Sequence, residues 1–400
     1  MPRLVTLLCC LLVAACATRA PAPSSDSLFQ DQLFAAPSTP ISAGDVFAVS
    51  DEMRRYLREE IAGELRAKGS QQGLIDALYR SDQLKLEYDA AMTRNAAEAF
   101  HARTGNCLSL VLMTAAFAKE IGLQVRYQSV FADETWSRTG DLYYLIGHVN
   151  LSLGKKPDDG GALNFDRDQV TIDFLPIRDV LRTRTRVVGE QTIVAMYMNN
   201  RAVESMAAGR FDDAYWWTRE AILQDPRYLS AYTTMGAIYQ RRGRLQDAER
   251  AYAFVLEREP GNTRALSNIV PVLNEQGRVA EAQDASRRLE QLQPYPPFSY
   301  FNRGQEALQA GDYRAARDLF AREIDRAAYY HEFHFWLAVA LAKLGEVEQA
   351  RAHLRQAMDT STTRRDHDLY AAKLDRIEAS GPPVVHRRMR PESILERTVR

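Results

Sequence analysis

Residues 209–214 read Gly-Arg-Phe-Asp-Asp-Ala, and residues 243–248 read Gly-Arg-Leu-Gln-Asp-Ala. The interval is 34 residues, and it recurs. Gly209, Gly243, Gly277, Gly311 and Gly345 keep that step, and so do Ala214, Ala248, Ala282, Ala316 and Ala350. Pro226, Pro260 and Pro294 close the first three units at the same interval. Each position has a local physical task. Glycine lets the chain turn between two helices through a left-handed backbone. Alanine is small where those helices cross. Proline ends the second helix, because it cannot continue one. Ala328 and Thr362 replace proline in the last two units, so those ends are softer.

This period resembles the tetratricopeptide repeat. The resemblance implies an all-α solenoid of five repeats over residues 192–364. A capping helix is expected over 365–380, and a basic disordered tail over 381–400. Pro271 falls inside a predicted helix and should kink it. A solenoid of this kind is a binding surface, so a protein or peptide partner is expected. In peptide-clamping relatives, one position of the first helix carries an asparagine. That position reads Asn200, Thr234, Asn268, Asn302 and Trp336 here. Asn200, Asn268, Asn302, Phe301 and Trp336 are therefore the candidate groove, with Phe298 and Phe335 beside them.

Working outward, the whole chain has 400 residues, 26% charged and 46% hydrophobic, which is globular composition. A net charge of -1 gives no electrostatic reason to bind nucleic acid. No metal or cofactor motif is present. Three of the four cysteines, Cys9, Cys10 and Cys16, lie at the N-terminus, which leaves Cys107 alone in the body of the protein. Arg3 followed by the apolar run 4–13 suits an export signal. Val13-Ala14-Ala15-Cys16 resembles the bacterial lipobox. That implies a signal peptide over 1–15 and lipidation at Cys16. Ala17 in the next position implies an outer-membrane lipoprotein facing the periplasm, held to the membrane by its lipid only. A Pro/Ser-rich tether is expected over 16–44.

The domain over 45–190 holds the chemistry. Residues 46–68 and 72–103 carry helical spacing of leucines. Gly105-Asn106-Cys107 opens a nearly all-apolar run ending at Gly122, which reads as a buried helix. A helix N-terminus favours thiolate over thiol. Strand character follows over 124–131, 143–153 and 169–174. Alternation puts His148, Asn150 and Ser152 on one face of the second strand, and Thr171 and Asp173 on one face of the third. A meander would bring His148 and Asp173 within reach of each other. His101 lies on the preceding polar helix and is the weaker candidate for a base.

Nucleophile, base and carboxylate thus occur in the order thiol catalysis needs. The segment over roughly 90–180 resembles the transglutaminase-like, papain-like cysteine superfamily. The resemblance implies an α+β fold and the roles nucleophile Cys107, base His148 and orienting Asp173. Many relatives have tryptophan where Asn150 stands. The Cys107 backbone N–H is one candidate oxyanion donor, with Gln128 or Tyr127 for the second, and Trp136 is a candidate cleft residue. Two functions follow. One is an amide-bond hydrolase or acyltransferase that needs no cofactor, fed by its repeats. The other is a non-catalytic adaptor whose first domain is vestigial. The first half is also expected to separate from the repeats near residues 187–191.

Overall fold

The computed structural model of the chain describes residues 25–79, 84, 86–89, 92–131, 136–139, 142–145, 148–155, 169–174, 184–328, 330–361 and 363–379. The export signal, Cys16 and the basic tail lie outside the described residues. Two compact units are present. One comprises residues 1–87, 92–132 and 146–295, and the other residues 88–91, 133–145 and 296–400.

The first unit begins with α1 (Asp51–Arg55), which runs on as one π-helical stretch, Tyr56–Glu60. Next come α2 (Ala62–Lys68), α3 (Ser70–Tyr79), α4 (Ala96–Ala102) and α5 (Cys107–Glu120). The expected helix over 72–103 is therefore two helices. Asn95 starts the second with a capping box: its side chain accepts from Glu98 N–H, and the Glu98 carboxylate accepts from Asn95 N–H. That Asn-x-x-Glu signal was readable in the sequence.

A four-stranded antiparallel sheet follows, made of β1 (Val125–Phe131), β2 (His148–Leu153), β3 (Val170–Ile172) and β4 (Arg184–Val188), in spatial order β3-β2-β1-β4. The expected meander is present. β4 was not foreseen, because arginines at 184 and 186 and an exposed Val187 hide its alternation. The strand expected over 143–153 is split. Residues Leu142–Leu145 pair instead with Trp136–Thr139 in a separate hairpin. α5 packs on β2 and is buried over all but its last two residues, as its apolar run requires.

Helix pairs then repeat: α6 (Glu190–Ala207) with α7 (Phe211–Gln224), α8 (Leu229–Arg241) with α9 (Leu245–Arg258), and α10 (Thr263–Glu275) with α11 (Val279–Leu292). α10 runs through Pro271. The second unit holds α12 (Ser299–Gln309) with α13 (Tyr313–Arg326), α14 (His331–Lys343) with α15 (Val347–Asp359), and the capping helix α16 (Arg364–Ala379). All five periodic glycines have positive φ, between 69° and 81°, as the turn reading demands. Close helix crossing also uses two glycines outside the ruler. A Cβ on Gly236 would lie 2.5 Å from Tyr252, and one on Gly304 2.7 Å from Phe320.

Two expectations about organisation change. Contacts do not break near residue 190, and the division between units falls after Tyr295. Glu190, the first residue of α6, pairs with Lys119 of α5 and accepts from the Tyr127 hydroxyl of β1, which ties the seam shut. The expected tether over 16–44 is docked in its described part. Phe34 stacks on Tyr215 at 3.9 Å. Tyr215 OH accepts from Gln30 N–H at 2.9 Å and donates to Asp31 Oδ1 at 2.6 Å. Tyr239 OH donates to Leu28 O, Trp216 Nε1 donates to Ala35 O, and Ser38 donates twice to Asp213. Residues 25–38 therefore form a strap on the first two repeats.

Candidate active site

Cys107 is the first residue of α5 and is buried. The turn before it is built by its neighbours. Asn106 is the N-cap, and its Oδ1 accepts from both Ser109 N–H and Ser109 Oγ at 2.9 Å. Ser109 Oγ in turn accepts from Arg94 N–H at 2.8 Å. Gly105 has to be glycine here, since a Cβ would lie 2.6 Å from Ser109 Cβ. The first two residues of the Gly-Asn-Cys motif are thus explained by steric room and then cap, and the third is the candidate nucleophile.

The candidate base, His148, comes from β2. The register pairs Leu151 with Ile172, so Asp173 continues opposite Asn150 and diagonal to His148. His148 Nε2 donates to Asp173 Oδ1 at 2.7 Å, and Asn150 Nδ2 donates to Asp173 Oδ2 at 3.0 Å. Each carboxylate oxygen therefore has its own donor. Asn150 was noted in the sequence only as a departure from relatives, and its role as the second donor was missed. The signal was its place on the same strand face, two residues from His148.

Cys107 is an electrostatic neighbour of the same imidazole. Nε2 is taken by Asp173, whereas Nδ1 is buried without a hydrogen-bond partner. Burial alone pulls the His148 pKa down. The bond to Asp173 and the interaction with Cys107 outweigh it and raise the value to about 9. The Asp173 carboxylate thus favours the protonated form of the ring.

The other expected residues divide. His101 is exposed beside Glu52, away from this cluster. Neither candidate for the second oxyanion donor is free. Gln128 Nε2 donates to Ser152 Oγ, and the Tyr127 hydroxyl donates to Glu190 while burial pushes its pKa up. The Cys107 N–H stays available in principle, as first-turn N–H groups of a helix have no intrahelical partner. The Trp136 side chain lies outside the described residues. Among the described residues, no cluster of His, Cys, Asp or Glu could hold a metal. No described helix is long and apolar enough to cross a membrane.

The candidate groove is partly dissolved. Phe301 is fully buried and packs with Phe320 and Phe333, and Phe298 joins the same aromatic cluster, so both are core. The reason is ordinary: a large apolar ring on a repeat's first helix fills the space against the second. Asn200 donates to Thr93 Oγ1 at 3.2 Å and is not open to a peptide. Asn268, Asn302 and Trp336 are half-buried. Trp336 meets Phe335, which stacks on Tyr370 of the capping helix.

Residues 233–297 and 301–362 match the tetratricopeptide repeat family. Together with the helix pairs and the positive-φ glycines, this defines the class of the second half: a tetratricopeptide solenoid, a fold that mediates protein–protein interaction. No curated protein matches the chain. Similar solved structures include MamA (16% identity, 43% of this chain and 96% of that one, TM-score 0.23). Pseudomonas aeruginosa pilF is 19% identical over 48% of this chain and 96% of that one, with TM-score 0.27. A thermophilic tetratricopeptide repeat protein of Thermus thermophilus is 17% identical over 45% of this chain and 98% of that one, with TM-score 0.28. Likeness at this level says nothing about site or partner.

Proposed function

We propose that the repeats bind a protein partner and that the first half performs thiol-dependent acyl transfer from an amide bond. The observation that carries the reading is the convergence of Cys107, His148 and Asp173, three residues from three different elements, in one buried cluster. In the ion-pair form the proton sits on His148. The sulfur attacks the amide carbon, a C–S bond forms, and the carbonyl electrons move onto oxygen. When they return, the C–N bond breaks and His148 gives its proton to the departing amine. A thioester remains on Cys107. Water, deprotonated by His148, would then release the acid and restore the thiol; an amine in its place would make a cross-link. Asp173 keeps the ring oriented and stabilises its positive form throughout.

The fold this proposal assigns to the first half is the transglutaminase-like, papain-like α+β type. Its support is the helix carrying Cys107 packed on a sheet carrying His148, with Asp173 just beyond the end of β3. We also place the chain at the outer membrane, lipidated at Cys16 and facing the periplasm, on the strength of the Val13-Ala14-Ala15-Cys16 sequence alone. Cys16→Ser should leave the protein unprocessed or free of membranes; unchanged processing and membrane association would end that part of the proposal.

A second reading is favoured by a specific observation: the family match falls on the repeats, and Cys107 and His148 are each just 4% exposed. In this reading the chain is an adaptor and the cluster is a vestige. Trapping decides between them. Full-length protein and Cys107→Ala are incubated with envelope extract, and intact mass is measured. A thioester adduct on the wild type only supports catalysis; no adduct on either protein supports the adaptor.

A further inference from the structure

Thr93 is 1% exposed and lies in the non-helical segment ahead of α4. Its hydroxyl accepts from Asn106 Nδ2 at 2.8 Å and from Asn200 Nδ2 at 3.2 Å. Its N–H donates to Glu204 Oε1 at 2.7 Å, and its carbonyl accepts from Arg201 Nη1 at 3.0 Å. Every polar atom of this residue is therefore engaged. Three of the partners, Asn200, Arg201 and Glu204, come from α6, the first helix of the first repeat. The fourth, Asn106, is the N-cap of the helix that starts with Cys107.

A side-chain amide, a guanidinium and a carboxylate grip one residue through its main chain and hydroxyl. Here the gripped residue belongs to the same chain. The consequence runs through Asn106. Its Nδ2 bond to Thr93 fixes which way the amide faces, which leaves Oδ1 to cap α5 through Ser109. A rotated amide would turn an NH2 group toward the Ser109 N–H and lose the cap.

We propose that Thr93, clamped by Asn200 and Glu204 of the first repeat, is a positioning residue that sets the start of α5 and so the register of Cys107 against His148. The solenoid and the thiol site are then mechanically joined, and the first repeat is occupied by the chain itself, leaving later repeats for a partner. This rests on the proposed thiol site, and the test separates the two.

The measurement is the rate of iodoacetamide alkylation of Cys107 across pH 6–9, in full-length protein, read on the Cys107 peptide by mass spectrometry. The variants are Thr93→Val, which keeps shape and removes the hydroxyl, and Thr93→Ser, which keeps the hydroxyl. Asn200→Ala is a milder break of the same clamp. His148→Ala is made in each background, and Asn268→Ala is the repeat control. In the wild type, His148→Ala changes the rate. In Thr93→Val, the rate near neutral pH falls about tenfold, as a small misplacement of reacting groups would cause, and His148→Ala adds no further effect. Thr93→Ser and Asn268→Ala behave as wild type, and Asn200→Ala shifts in the same direction as Thr93→Val. Wild-type rates and pH profile in both Thr93→Val and Asn200→Ala would overturn the proposal. So would equal loss in Thr93→Ser and Thr93→Val, since that is a packing effect. If the Thr93 pattern appears but no acyl-enzyme is ever trapped, the positioning role stands and the catalytic reading falls.

Discussion

Replacing Asp173 with asparagine isolates the charge at the heart of the cluster. The hydrogen-bond pattern can survive the change. The asparagine carbonyl replaces Oδ1 as acceptor for His148 Nε2. Its NH2 group then faces Asn150, whose Oδ1 is buried without a partner in the native protein. A flip of the Asn150 amide turns that oxygen into the needed acceptor. Only the charge is lost. His148 is raised from an ordinary 6.5 to about 9, about 2.5 units. At ~1.4 kcal/mol per unit, that is a preference of about 3 kcal/mol for the protonated ring. Burial works against this preference, and the Asp173 hydrogen bond is the largest influence in its favour. Without the carboxylate, burial should win or draw, so His148 in Asp173→Asn titrates at or below its ordinary value.

The assay is histidine ring NMR with 13C-labelled protein, the His148 signal being assigned by its loss in His148→Gln. Stability provides a second readout with a definite sign. The folded pKa lies above the unfolded one, so the contribution is fully present below pH 6.5 and is lost as pH rises through about 9. Wild type should therefore lose stability across that window, by up to ~3 kcal/mol, and Asp173→Asn should lose much less. A His148 signal that titrates at the same pH in both proteins would refute the reasoning, because the carboxylate would then not be what charges the ring.

The helix crossings offer a steric test. Gly304→Ala places a Cβ 2.7 Å from Phe320 and should destabilise the second unit by ~1–3 kcal/mol in urea unfolding; an unchanged midpoint would contradict the close crossing. In the same unit, His334 Nε2 donates to Ala328 O, so its Nδ1 accepts from His353 Nδ1–H at 3.0 Å. Burial lowers both pKa values. Their contribution is thus present above pH 6.5 and lost as pH falls through the lowered values, so thermal melts should drop from pH 7.5 to 5, with a smaller drop in His353→Gln. Deleting residues 25–44 removes the buried Leu28 and Phe34 and should cost the first unit about 3–6 kcal/mol at ~1.5–3 kcal/mol per buried side chain. Equal melting of the truncated and full chains would show the strap to be idle.

What the sequence disclosed and what it hid follow the range over which each feature acts. The repeat glycines could be read directly, because a positive φ is a demand made on one residue by one turn. His148 and Asp173 could be read almost as well. Strand alternation fixes the face, and a short meander leaves few ways to pair the faces. Cys107 needed only the apolar helix behind it. The strap could not be read, since Tyr215 and Tyr239 look like repeat core until residues 28–34 arrive to claim their hydroxyls. Phe301 was misplaced for a related reason. Its position within the 34-residue unit does not say which side of α12 faces α13. The contacts of Thr93 bridge more than a hundred residues, and nothing local marks Glu204 as its acceptor.

Asn200 joins the two kinds of case. The expected grip of Asn200 on a peptide backbone is not what the structure has: its amide meets the Thr93 hydroxyl, and the neighbouring Arg201 holds the Thr93 carbonyl. Asn268 and Asn302 occupy the same position of later repeats and remain half-buried. If the first repeat is spent on holding the thiol domain, a partner's extended segment would engage the later repeats. Asn268→Ala should then weaken capture of that partner while leaving Cys107 alkylation unchanged. Asn200→Ala should do the reverse. An Asn268→Ala protein that lost thiol reactivity, or an Asn200→Ala protein that lost only the partner, would show that the division of labour among the repeats has been drawn at the wrong one.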